Sequence, residues 1–182
     1  MENEDHKLAE SLKDENLRKD AFQQLVKLYQ ERLYWHIRKI VINHDDTDDV
    51  LQNTFLKVWN NIAGFRQEST LYTWLYRIAT NESITFLNSK RRRTLVPLQD
   101  INDQLINNLK SDPYFEGDKI QMKLQKAILG LPEKQRIVFN MKYYDEMKYE
   151  EMSKILDTSV GALKASFHHA VKKIEEYLLN TD

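Results

Sequence analysis

Apolar residues return every three or four positions along most of the chain, the period of a helix with one buried face. Phe22, Leu25, Val26, Tyr29, Leu33, Ile37, Ile40 and Val41 keep this step and predict one long amphipathic helix, or two in series. The acidic run Asp45-Asp46-Thr47-Asp48-Asp49 follows. It suits a helix N-terminus, where carboxylates meet the positive end of the dipole, with Asp46 or Thr47 as the expected cap. Val50, Leu51, Phe55, Val58, Trp59 and Ile62 continue as a helix that Ala63-Gly64 ends. After the loop Phe65-Arg66-Gln67-Glu68, Ser69-Thr70 offers a second cap. Leu71, Trp74, Leu75, Ile78, Ala79 and Phe86 then trace a further helix that closes in Lys90-Arg91-Arg92-Arg93.

The pattern resumes late in the chain. Leu124, Ile128, Leu129 and Leu131 form an apolar stripe before Pro132. Pro132-Glu133 suits the first turn of a helix carrying Ile137, Val138 and Met141. Tyr149 to Leu156 reads as a short helix, Asp157-Thr158-Ser159 as a tight turn with a good N-cap, and Leu163, Phe167, Ala170 and Ile174 as the core stripe of a last helix. A short helix, a three-residue turn and a longer helix with a polar outer face have the shape of a helix-turn-helix. Between the two blocks, residues 94–118 hold two of the three prolines and read as a linker, with a helical turn near Ile106. The expected fold is all-α: two small helical domains, a bundle over residues 1–93 and a helix-turn-helix domain over 119–182, joined by a flexible acidic linker.

Composition narrows the classes. A chain of 182 residues allows one medium domain or two small ones. It has no cysteine, which removes disulfides, thiolate metal sites and thiol catalysis and fits a reducing compartment. No apolar run approaches the roughly 18 residues of a membrane span. The acidic start, Met1-Glu2-Asn3-Glu4-Asp5, is unlike a signal peptide. A cytoplasmic protein with no direct membrane insertion is expected. With few Gly and Pro, the chain is poor in the hairpins and Gly-rich loops of all-β or Rossmann folds.

The net charge of −1 counts against a nucleic-acid binder at first sight. Its layout reverses that. The net charge is −2 over residues 1–19, +3 over 20–93, −4 over 94–118 and +2 over 119–182. Two basic blocks are thus masked by an acidic start and an acidic linker.

The candidate chemistry follows from these elements. The outer face of the last helix presents Gly161, Ala162, Ala165, Ser166, His169, Lys172 and Lys173. Small residues at its N-terminal end allow close approach to a groove, and the basic end can meet phosphates; two lysines near a helix C-terminus also suit an ordinary surface helix. The helix before the linker mixes Tyr72, Trp74, Tyr76 and Arg77 with Lys90 to Arg93, a pattern that can stack unpaired bases and track a backbone. Trp74 and Leu75 fall on the core stripe; Tyr72, Tyr76 and Arg77 fall off it. Metal pairs on a helix need steps of three or four, so the adjacent His168-His169 is a poor chelate. His36 and His44 have no partner by spacing. The Asp45–Asp49 run lacks the Gly and distal Glu of a calcium loop. It reads as a helix start that can also meet a basic partner. No nucleophile–base pair, phosphate cradle or liganding cluster emerges, so neither an enzyme nor a cofactor is expected.

These stretches together resemble the small extracytoplasmic-function sigma factors of bacterial RNA polymerase. Asp48-Asp49-Val50-Leu51-Gln52-Asn53-Thr54-Phe55-Leu56-Lys57-Val58-Trp59 is similar to the polymerase-binding helix of the family's region two. Phe65-Arg66-Gln67-Glu68-Ser69-Thr70-Leu71-Tyr72-Thr73-Trp74-Leu75-Tyr76-Arg77-Ile78-Ala79-Thr80-Asn81 is similar to its promoter-melting and −10 segment. Leu131-Pro132-Glu133-Lys134-Gln135-Arg136, Tyr149-Glu150-Glu151-Met152 and Val160-Gly161-Ala162-Leu163-Lys164 resemble region four. The similarity covers about residues 8–93 and 119–179.

The resemblance implies a non-catalytic subunit that binds core RNA polymerase and directs promoter recognition and initiation. The alternative is a stand-alone helix-turn-helix regulator. By matching position, Asp48, Asp49, Gln52, Phe55, Lys57 and Trp59 would meet the polymerase. Phe65, Arg77 and Asn81, with Trp74 in support, would surround a flipped −10 base, Arg66 would also bind the −10 DNA, and Lys90, Arg91, Arg92 and Arg93 would hold nearby phosphates. Ser159, Gly161, Ala162, Lys164, Ser166, His169, Lys172 and Lys173 would face the −35 element. Recognition helices of the family often carry arginine where this chain has Ser166, His169 and Val171, which shifts the −35 expectation toward shape, backbone contacts and tethering. The implied partners are core polymerase, promoter DNA and an anti-sigma factor, often membrane-anchored.

Overall fold

A computed structural model describes residues 2–94 and 119–180, excluding the side chains of residues 2–4, 93, 94 and 119. The linker expected over 94–118, with its turn near Ile106, lies outside the described residues but for Thr94. The described residues are helical and contain no strand: α1 (Glu2–Ser11), α2 (Arg18–Val41), α3 (His44–Asn61), a 3₁₀ turn at Ile62–Gly64, α4 (Leu71–Thr94), α5 (Lys119–Leu129), α6 (Glu133–Tyr143), α7 (Tyr149–Leu156) and α8 (Val160–Asn180). The chain divides into two compact units, Met1–Leu87 and Asn88–Asp182.

In the first unit, α2 is one continuous helix that buries Leu25, Tyr29, Leu33, Ile37, Ile40 and Val41. Ile42 takes φ 70°, a left-handed conformation rare for a β-branched residue, and its N–H donates to the Arg38 carbonyl. Burial of its side chain to 8% exposure offsets that strain. The turn into α3 is therefore very short. Its cap is Asn43, whose side chain accepts from the Asp46 N–H at 2.9 Å, not Asp46 or Thr47. Thr47 is fully buried, and its hydroxyl donates back to the Asn43 carbonyl.

The core between α2, α3 and α4 mixes aliphatic side chains with small hydroxyls. Thr47, Thr54, Thr73, Thr80 and Ser83 are all buried. Thr54, Thr80 and Ser83 donate to carbonyls one turn earlier, on Val50, Tyr76 and Ala79, which satisfies each hydroxyl while its small volume lets helices approach. His36, buried on α2, bonds Thr80 Oγ1 on α4 at 2.9 Å. Leu8, Ala9 and Leu12 add α1 to this core.

In the second unit, Ala127, Ile128, Leu131, Phe139, Ala170 and Ile174 form the core, with Phe167 stacked 5.8 Å from Phe139. Pro132 stands at the cap of α6, one residue outside the helix. Asp157 closes α7 in the left-handed region, φ 50°, which Asp tolerates because its short side chain can bond locally. Ser159 Oγ then accepts from the Ala162 N–H at 3.3 Å and starts α8. The helix-turn-helix is α7, this turn and α8.

Candidate nucleic-acid and polymerase interface

The structure separates the six residues expected to meet the polymerase. Asp48, Asp49 and Gln52 are exposed on the outer face of α3. Phe55 and Trp59 are only part-exposed. Both pack edge-on against Phe22 of α2, at 6.3 and 5.0 Å between ring centroids. The Arg18 guanidinium covers the Trp59 ring at 4.5 Å and donates to the Trp59 carbonyl. These aromatics hold α3 on α2. Lys57 is exposed and pairs with Glu82 of α4. Leu56 is 55% exposed, an apolar side chain on the outer face that the sequence reading passed over. The signal was present: Leu56 falls off the stripe formed by Thr47, Val50, Thr54 and Val58.

The loop after the 3₁₀ turn borders a cavity of about 270 Å3. Phe65, Leu71 and Ala9 give it apolar lining; Gln67, Ser69 and Thr70 give it hydrogen-bonding groups. Gln67 has φ 58°, a conformation that costs of order 1–3 kcal/mol and concentrates at functional loops. Thr70 Oγ1 accepts from the Thr73 N–H at 3.2 Å and caps α4, as expected. Phe65 is 4% exposed, and its ring lies 5.0 Å from Trp74. It therefore lines the cavity from within the fold. Trp74, expected in the core, is only part-buried and backs Phe65. Tyr76, expected off the core stripe, is 4% exposed, between His36 at 4.7 Å and Tyr72 at 4.2 Å. The buried face of α4 is wider than one stripe because α4 contacts both α2 and α3.

Arg77 and Asn81 do not line the cavity. They are exposed one turn apart, on the α4 face that begins with Trp74. Arg66 is exposed in the loop, Lys90 and Arg92 are exposed at the end of α4, and Arg91 pairs with Glu133. The Arg93 side chain lies outside the described residues.

On α8, Gly161, Ala162, Lys164, Ala165, His169, Lys172 and Lys173 are exposed, as is Ser159 in the turn, while Ser166 is part-buried. Open space surrounds the position a Gly161 Cβ would take, so packing does not require glycine there. The Tyr149 ring at the start of α7 faces Lys164 at 5.8 Å and Lys142 at 5.1 Å, a cation–π arrangement that ties α8 to α7. Lys172 stands 3.9 Å from Glu176, both exposed, a surface pair of small energetic weight. Arg136 of α6 is 3% exposed. Burial lowers its pKa, Glu133 opposes that, and Arg91 adds to it. No group of three or more His, Cys, Asp or Glu able to hold a metal occurs among the described residues. Nor does any described helix have the length and apolarity to cross a membrane.

Comparison with known proteins adds three findings. The model of Sigma-70 region 2 matches residues 25–93, and that of Sigma-70, region 4 matches residues 121–174. The chain is 30% identical over 167 residues to the ECF RNA polymerase sigma-E factor of Haemophilus influenzae, covering 86% of this chain and 87% of that one. It is 28% identical over 167 residues to the ECF RNA polymerase sigma factor SigW of Bacillus subtilis, covering 87% and 89%. Among solved structures, CnrH in complex with the cytosolic domain of CnrY shares the fold, with a TM-score of 0.72, 23% identity and coverage of 98% and 99%. The sigma factor RpoE in complex with the anti-sigma factor NepR from Bartonella quintana matches at a TM-score of 0.66, 23% identity and coverage of 88% and 98%.

Proposed function

The chain belongs to the sigma-70 family as an extracytoplasmic-function sigma factor, and on that premise we propose how its residues share the work of initiation. The protein is a non-catalytic, cytoplasmic subunit that binds core RNA polymerase and directs it to promoters. The outer face of α3 (Asp48, Asp49, Gln52 and Leu56) docks on the polymerase. Phe55 and Trp59 set the angle of that face, and Lys57 braces it against α4. The cavity beside Phe65 receives one unpaired base of the −10 element, with Phe65, backed by Trp74, as its aromatic wall. Extruding a base costs a few kcal/mol, which pocket contacts offset. The strand then follows the α4 face past Arg77 and Asn81, and Arg66 and the run from Lys90 to Arg93 meet phosphates.

In the second unit, α8 enters the −35 major groove. Ser159, Gly161 and Ala162 allow the backbone close, Ser166 and His169 face base edges, and Lys164, Lys172 and Lys173 meet phosphates. An anti-sigma factor regulates the protein, as the solved complex of the Bartonella quintana sigma factor suggests.

One observation carries this reading: a region-two match and a region-four match stand in one chain. A stand-alone regulator needs only the second. The discriminating experiment is promoter affinity at physiological salt, with and without core polymerase. Weak duplex binding alone and tight binding in the holoenzyme are expected; tight, specific duplex binding by the free protein would favour the stand-alone regulator.

A further inference from the structure

We infer that Asp5, carried by α1, selects the base that enters the cavity, accepting a hydrogen bond from the amino group of an unpaired cytosine and disfavouring thymine. The inference rests on the reading of that cavity as a base pocket. Three segments border it: the 65–70 loop, the start of α4, and α1, which contributes Asp5, His6 and Ala9. Its volume of about 270 Å3 is room enough for one nucleobase, since a cavity of about 150 Å3 already takes a benzene ring. Its lining includes a carboxylate and neither Lys nor Arg, so it suits an uncharged base and repels a phosphate.

Asp5 is also held in place. The Tyr29 hydroxyl donates to Asp5 Oδ1 at 2.8 Å. Burial first, then that hydrogen bond and the Asp5 charge, keep the Tyr29 phenol protonated far above its usual range. A carboxylate offers about four acceptor positions, so one bond from Tyr29 leaves capacity for a ligand. Cytosine presents an amino donor where thymine presents a carbonyl acceptor. The carboxylate attracts the first and repels the second.

The test uses holoenzyme built from the full chain and core polymerase, with fluorescent non-template single strands carrying a −10 element selected by that holoenzyme. An abasic nucleotide is first walked along the element, and the position where it costs most is the one the pocket reads. At that position cytosine is expected to bind about tenfold tighter than thymine, the scale of one charge-assisted hydrogen bond. Asp5→Asn is expected to bring the ratio to within about threefold. Tyr29→Phe breaks the same bond to α1 but keeps the carboxylate, and should retain the preference. An unchanged ratio in Asp5→Asn, or equal loss in Tyr29→Phe, overturns the assignment of Asp5. If no abasic substitution weakens binding, the base pocket itself fails, and the inference with it.

Discussion

Phe65 joins stability to function in a way that two substitutions can separate. Its side chain is 4% exposed, so Phe65→Ala deletes a buried ring at a cost of about 3–5 kcal/mol. The first unit spans Met1–Leu87; at about 0.05–0.15 kcal/mol per residue it holds about 4–13 kcal/mol in all. For a domain of this size each kcal/mol moves the midpoint by about 4–8 °C, so the alanine variant should melt about 12–40 °C lower. Phe65→Leu keeps most of the volume. It loses the ring pair with Trp74 and some packing, each of order 1 kcal/mol, and stays folded. All three tryptophans, Trp35, Trp59 and Trp74, lie in the first unit, so tryptophan fluorescence in urea reports on it selectively. Phe65→Leu should retain polymerase binding and lose promoter opening. An alanine variant within 1 kcal/mol of wild type would refute the burial argument, and equal loss of both activities in the leucine variant would refute the pocket.

Asn43→Ala removes the cap of α3 and should cost about 1 kcal/mol in urea unfolding, whereas Asp46→Ala should cost less. The double reversal Asp48→Lys, Asp49→Lys touches only exposed side chains; it should leave the melting temperature within a few degrees and lower core polymerase affinity first, read by a binding titration. Gly161→Ala fills open space on a helix and should leave stability equal or raise it by up to about 1 kcal/mol. If the backbone approaches DNA there, the same variant should weaken −35 binding in the holoenzyme, measured by footprinting.

The helix-turn-helix was legible to the residue at α7 because its punctuation is strong. A turn of Asp157, Thr158 and Ser159 separates two apolar periodicities, and Asp157 and Ser159 each do what their side chains favour there. The start of α3 was misread for a related reason. Three aspartates within Asp45 to Asp48 outweighed the single Asn43, yet the strained Ile42 sets where α2 stops and so where α3 must begin. Tyr76 was read as available because period counting treats a helix as having one neighbour, while α4 has two. The hydroxyl core escaped an apolar pattern, since Thr54, Thr80 and Ser83 satisfy themselves against their own helix. The site suffered most from α1. Leu8, Ala9 and Leu12 carry a short helical step in an acidic, polar stretch, and without that helix the loop after Gly64 shows no third wall for its cavity.

This chain gives core polymerase its promoter choice. Run-off transcription by purified core polymerase on a library of random promoters, with and without the protein, tests it most directly. Transcripts that depend on the protein and start downstream of a shared −10 and −35 pair are expected. A library on which the protein directs no transcript from any template would contradict it.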